Sequence, residues 1–222
     1  MGVPIGDLLA GMYGAYGVMA ALHERSLTGR GRVVRTSLLA SVVGVHAFQG
    51  TRWTVAHEVP HATGNQHPSI TPYGLFRTAD APVQIACGTE KQWQALAGLL
   101  GIDDARFGSN RARVGLRAEV VAAVEAALAA EPAEVWLARL AELGVPAGKV
   151  RTLDDVYTWD QTLSQGLLVD VDHPTAGRVQ LPGPALRFDD NAHAGARTTH
   201  LPPPLLGEHD AAVRAWLDSD IG

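Results

Sequence analysis

Cys87 is the one cysteine among 222 residues. A lone thiol forms neither a disulfide within the chain nor a cysteine-based zinc site, which excludes a stapled secreted fold and a zinc ribbon. A reducing, cytoplasmic setting is the matching expectation. Aromatic residues are also scarce, at 6%, and the Tyr and Trp residues are not interleaved with Lys or Arg. No basic block occurs. The 18 Lys and Arg are outnumbered by 23 Asp and Glu, for a formal net charge of -5. A nucleic acid or an anionic membrane surface is therefore not an expected partner. The apolar run over residues 8–22 is shorter than the roughly 20 residues that span a bilayer. It follows Asp7 rather than a cation and contains three glycines. It reads as a buried helix, not as a signal peptide or a membrane span. His46, His57 and His61 lack ligand spacing on a defined element, and no metal is expected.

What is present suits a globular chain: 46% hydrophobic and 18% charged residues over a length that buries one large or two small cores. The first helix is expected from Asp7, as N-cap, to about Arg25, with Thr28-Gly29 and Gly31 marking its end. Gly11, Gly14 and Gly17 recur every third residue, each at a cost of about 1 kcal/mol against alanine. That pattern predicts close backbone contact with a neighbour, and a helix so apolar predicts cover nearly all round. Residues 32–45 are apolar and β-branched, which predicts a strand running into a second buried helix. Residues 50–72 hold Pro60, Gly64, Asn65, Pro68, Pro72 and three histidines, and read as an irregular loop.

A short strand is expected over 83–87. Trp93, Leu96, Ala97 and Leu100 then repeat at i, i+3, i+4 and i+7, the period of an amphipathic helix. Val120, Val121, Val124 and Leu128 mark a second helix, and Trp136, Leu137, Leu140 and Leu143 a third, stopped at Gly144-Val145-Pro146. Short strands around 167–171 and 178–181 follow, then a helix over 208–217. The pattern is α/β, in three segments: 1–69, 70–150 and 151–222. The middle segment has helices and a strand enough for a core of its own.

Several strings, in order, resemble one family. They are Gly6-Asp7 before the glycine-spaced helix, Thr28-Gly29-Arg30-Gly31, Gly64-Asn65-Gln66-His67-Pro68, Pro72-Tyr73-Gly74-Leu75-Phe76, Arg106-Phe107 with Asn110 and Arg113-Val114, and Gly144-Val145-Pro146-Ala147-Gly148. His173-Pro174 with Gly177, and Leu206-Gly207-Glu208-His209, complete the set. The chain is thereby identified as similar to the family III (CaiB/BaiF) CoA-transferases. The resemblance covers the whole chain and about the second half of that family's sequence. It implies part of a Rossmann-like CoA-binding large domain over 1–69, a small α+β domain over 70–150, and a segment returning to the large domain over 151–222. It also implies an interlocked homodimer, or a complementing N-terminal half. Arg32, Arg35 and Ala40 depart from the residues usual in the family.

The family's chemistry moves CoA between two carboxylic acids through an enzyme carboxylate. An ionised aspartate at a helix start suits that role, since free N–H groups there stabilise anions. The resemblance makes Asp7 the nucleophile; on residue type alone it is an N-cap. Gly64, Asn65, Gln66 and His67 form a small-residue loop able to offer backbone N–H groups to an acyl oxygen, and its plain alternative is a surface loop. Glu90 is a further candidate substrate or CoA contact, with a first-turn acid favoured by the helix dipole as the alternative. Coenzyme A and acyl-CoA are expected as substrates, beside a carboxylic acid, and no permanently bound cofactor is expected. Two other readings stay open: an α-methylacyl-CoA racemase-like enzyme, and a non-catalytic fragment or assembly subunit.

Overall fold

The structure, a computed structural model, describes residues 2–188 and 199–219. The chain divides into two compact units, Met1–Asn65 and Gln66–Gly222.

The first unit is helical. Helix α1 runs Ile5–Thr28 and ends on Gly29 in the left-handed conformation, φ 69°. Its N-cap is Pro4, so Asp7 lies inside the first turn and is not the cap expected from the sequence. Pro4 has φ -73°, within the range that its ring imposes, and the helix begins directly after it. Helix α2, Leu38–Gly44, is capped by Ser37, whose Oγ accepts from the Ala40 N–H at 3.1 Å. Helix α3 is Ala47–Thr54.

Residues 30–37 belong to no helix or strand, so the strand expected there does not form. The stretch runs along the glycine face of α1 instead. A Cβ on Gly17 would come within 2.7 Å of Val34 Cγ1, and one on Gly14 within 3.9 Å of Thr36 Cγ2. The close approach predicted from the glycines is real, but the cover is one-sided. No residue of α1 is buried, and Met12, Tyr16 and Met19 are 68%, 76% and 66% exposed. Helix α2 buries only Ser41. Helix α1 is also longer than the apolar run: it has 24 residues, roughly 36 Å at 1.5 Å each, and is long and apolar enough to cross a bilayer by length and composition.

The second unit starts with strands β1, Tyr73–Arg77, and β2, Pro82–Ala86, then helix α4, Glu90–Leu100. A 3-10 turn at Ala105–Phe107 leads to α5, Asn110–Gly115, α6, Arg117–Leu128, and α7, Ala133–Glu142. Strand β3, Ala147–Lys149, joins β2, giving an antiparallel sheet in the order β1-β2-β3. The register pairs Tyr73 with Ala86 and Ile85 with Ala147.

Alternation along the sheet puts Phe76, Val83 and Ile85 on its buried face, all 0% exposed. The three periodic helices close over them through Trp93, Leu96, Val120, Val124, Leu128, Trp136 and Leu140. Every member of this core lies between Phe76 and Val145. Helix α4 begins on a capping box: Thr89 Oγ1 accepts from the Gln92 N–H while the Gln92 side chain accepts from the Thr89 N–H. Two short helices follow, α8, Leu153–Thr158, and α9, Asp160–Ser164. Then come a hairpin of β4, Leu168–His173, and β5, Gly177–Pro182, and finally α10, Asp210–Ser219.

Candidate active site

Asp7 is the third residue of α1 and is solvent-exposed. The Leu8 N–H bonds to Pro4 O at 3.1 Å, and no side chain caps the helix start. An acid in the first turn is favoured by the helix dipole. Behind it Gly6 packs on α2, where a Cβ would sit 3.6 Å from Val42 Cγ2.

The loop over residues 64–68 passes from one unit to the next. Gly64 has φ 62°, a conformation that disfavours any side chain. Gln66 Nε2 donates to Leu75 O at 3.2 Å. The His67 N–H donates to Tyr73 O at 2.8 Å, and its ring stacks on Tyr73 with centroids 5.0 Å apart. His67 Nδ1 accepts from the Ser69 N–H at 3.2 Å, which puts the proton of the neutral ring on Nε2. His67 thus organises its own loop.

Three side chains from one short stretch hold residues 67–71. Asn110 Oδ1 accepts from the Thr71 N–H at 3.1 Å, and its Nδ2 donates to Ser69 O at 2.9 Å. Arg113 donates from Nε to Thr71 O at 2.7 Å and from Nη1 to Phe107 O at 2.8 Å. Its guanidinium also lies 4.8 Å from the Trp93 ring centre. Arg117 donates to the carbonyls of His67 at 2.6 Å, Pro68 at 3.0 Å and Ile70 at 3.5 Å. Burial lowers the Arg117 pKa, since the charged form loses water on entering this position.

Glu90 belongs to the same arrangement. Its Oε2 pairs with Arg113 Nη2 at 2.9 Å, and its Oε1 accepts from the Asn110 N–H at 2.8 Å. Thr71 Oγ1, in the middle, is buried with no hydrogen-bond partner. Cys87 lies near Arg113, and burial pushes its thiol up to about 12, so it carries no thiolate at neutral pH. No group of three or more His, Cys, Asp or Glu able to hold a metal occurs among the described residues.

Asn110, Arg113 and Arg117 therefore hold residues 67–71, the first two linking them to Glu90, while Gln66 bonds to Leu75. The sequence reasoning assigned no role to those three. Asn110 and Arg113 belong to the Arg106-Phe107 motif, whose spacing alone points to no chemistry. Arg117 carried one unread signal, a cation at a helix N-terminus, where the dipole disfavours it.

Residues 1–210 match the model of CoA-transferase family III. The chain belongs to CoA-transferase family III. Within the family it is 33% identical over 212 residues to succinyl-CoA:glutarate CoA-transferase of Mus musculus, covering 94% of this chain and 48% of that protein. It is 29% identical over 222 residues to succinate–glutarate CoA-transferase of Agrobacterium fabrum, covering 98% and 54%. A CaiB/BaiF family protein from Brucella suis, of known crystal structure, superposes with a TM-score of 0.77 at 33% identity, over 98% of this chain and 56% of that one. The family III chain spans about half the length of the curated relatives it matches. Helix α1 and the loop lie inside the matched residues, and the mixed α and β fold is the family's.

Proposed function

We propose that this chain takes part in moving coenzyme A from an acyl-CoA thioester to a free carboxylic acid, with Asp7 as the group that carries first the acyl and then CoA. The Asp7 carboxylate attacks the thioester carbon; the C–S bond breaks, CoA leaves as thiolate, and a mixed anhydride forms. The thiolate attacks the Asp7 carbonyl carbon, the anhydride C–O bond breaks, and the donor acid departs. Asp7 now holds CoA as a thioester. The acceptor carboxylate runs the two steps in reverse, so one carboxylate enters for each that leaves and the thioester energy is kept.

The observation that supports this reading is the family match running through Asp7, an exposed carboxylate at a helix start that no side chain caps. The relatives named above pair succinate or succinyl-CoA with glutarate, which makes short dicarboxylic acids and their CoA esters the substrates to try first. CoA is a substrate in this scheme, and no permanently bound group takes part. Exposed Met12, Tyr16 and Met19 favour association, with a second copy or with a polypeptide that completes the CoA site.

The racemase reading needs a carboxyl free to exchange a proton with the substrate α-carbon. Glu90 has both oxygens engaged, by Arg113 and by the Asn110 N–H, which favours the transferase. The test is transfer from succinyl-CoA to glutarate by this chain, by itself and with any polypeptide that assembles with it, followed by chromatography of the CoA esters. Glutaryl-CoA formation that vanishes in Asp7→Asn is the expected result. No transfer by any assembled sample contradicts the reading and favours a non-catalytic subunit.

A further inference from the structure

We propose that Arg117 is a positioning residue for the transfer reaction, holding the loop at residues 67–70 in working shape. The proposal rests on the reading that this loop contacts the acyl group.

Arg117 is the first residue of α6, where the helix dipole disfavours a cation. Among the described ion pairs none supplies it with a carboxylate. Its guanidinium serves neutral groups instead, the carbonyls of His67, Pro68 and Ile70, spread over four consecutive loop residues. Burial opposes its charge at the same time. A residue that goes against the helix dipole and gives up water needs a compensating interaction, and the loop carbonyls are where it is found.

The bonding also divides the loop. The N–H groups of His67, Ser69 and Thr71 are engaged by Tyr73 O, His67 Nδ1 and Asn110 Oδ1, and Pro68 has none. The stretch from His67 to Thr71 is therefore fixed by its own bonds. Arg117 sets where that stretch stands. Loosening it shifts the loop without removing any group that touches substrate, and small misplacements cost large factors in rate.

Two measurements test this. Hydrogen exchange on the chain itself compares Arg117→Ala with the parent, reading the amides of His67, Ser69 and Thr71 against those of Leu96 and Val124 in the core. Exchange that quickens in the loop and stays unchanged in the core is expected; unchanged loop exchange overturns the proposal whatever the activity. In an assembled sample that transfers CoA, Arg117→Ala should lower kcat by about tenfold to a hundredfold with little change in KM for the acyl-CoA. Arg117→Lys should recover part of the loss, and added guanidinium should raise kcat of Arg117→Ala alone. A kcat loss that only tracks loss of folded protein, with no rescue, overturns it as well. Transfer that survives Asp7→Asn overturns the underlying reading instead, so the two failures are told apart.

Discussion

Arg113 and Glu90 meet at 2.9 Å with the arginine side chain 1% exposed and the glutamate 50% exposed. One partner is thus sealed in the protein while the other opens to water. Arg113 also holds the carbonyls of Thr71 and Phe107, so its charge is met on several sides. Removing the arginine strands those acceptors, whereas neutralising the half-exposed glutamate removes only one of its partners. Arg113→Met should therefore cost about 2–5 kcal/mol, since two buried carbonyls lose their donor at about 1–3 kcal/mol each. Glu90→Gln keeps an acceptor for the Asn110 N–H and should cost less, about 1–2 kcal/mol. Thermal melts of the two variants give the order; equal losses contradict it.

The glycines of α1 give a paired prediction. Nothing lies within 4 Å of a Cβ placed on Gly11, while one on Gly17 meets Val34 Cγ1 at 2.7 Å. Gly11→Ala should stabilise the helix by about 0.5–1 kcal/mol through propensity alone. Gly17→Ala should lose that gain and more, since the valine is stiff about χ1 and the stretch around Val34 must move. Circular dichroism melts separate the two, and a similar rise in both would show that the close contact does not matter.

Acid should destabilise the second unit only at low pH. The Ala133 N–H, and next the Thr78 hydroxyl, hold the Asp80 carboxyl below its ordinary range. Arg106 does the same for Asp104, and Arg77 for Glu125. A carboxylate with a depressed folded pKa contributes stability that is complete above its unfolded pKa, about 4, and is lost as pH falls through the folded value. The melting temperature should stay level from pH 7 to 5 and drop below about 4. Asp80→Asn should flatten part of that drop. A decline that begins between pH 7 and 5 contradicts the assignment.

The second unit was the most legible part of the sequence. Trp93, Leu96, Ala97 and Leu100 gave the period of α4, and the cores of α6 and α7 followed from the same spacing, because amphipathic faces there look onto a sheet. Strand β1 was missed: it follows a proline-rich loop, carries Gly74, and shows its alternation only once paired with β2. Strand β3 has three residues, too few for a period. The stretch over 32–37 misled in the other direction. β-branched residues extend a chain, but a strand needs a partner, and these residues lie on a helix instead. Family membership was readable from the ordered motifs, whereas the hold of Asn110, Arg113 and Arg117 on residues 67–71 was not. Those contacts join residues 39 to 50 positions apart, and no local pattern encodes their pairing.

The central claim is that Asp7 becomes covalently acylated and then carries CoA. An acyl-CoA is supplied to the assembled sample, hydroxylamine is added, and the peptide containing Asp7 is read by mass spectrometry. Hydroxylamine attacks an aspartyl anhydride or thioester and leaves a hydroxamate on that side chain. The account predicts the hydroxamate at Asp7, dependent on acyl-CoA and absent in Asp7→Asn. Active transfer with no hydroxamate at Asp7, or undiminished transfer by Asp7→Asn, contradicts it.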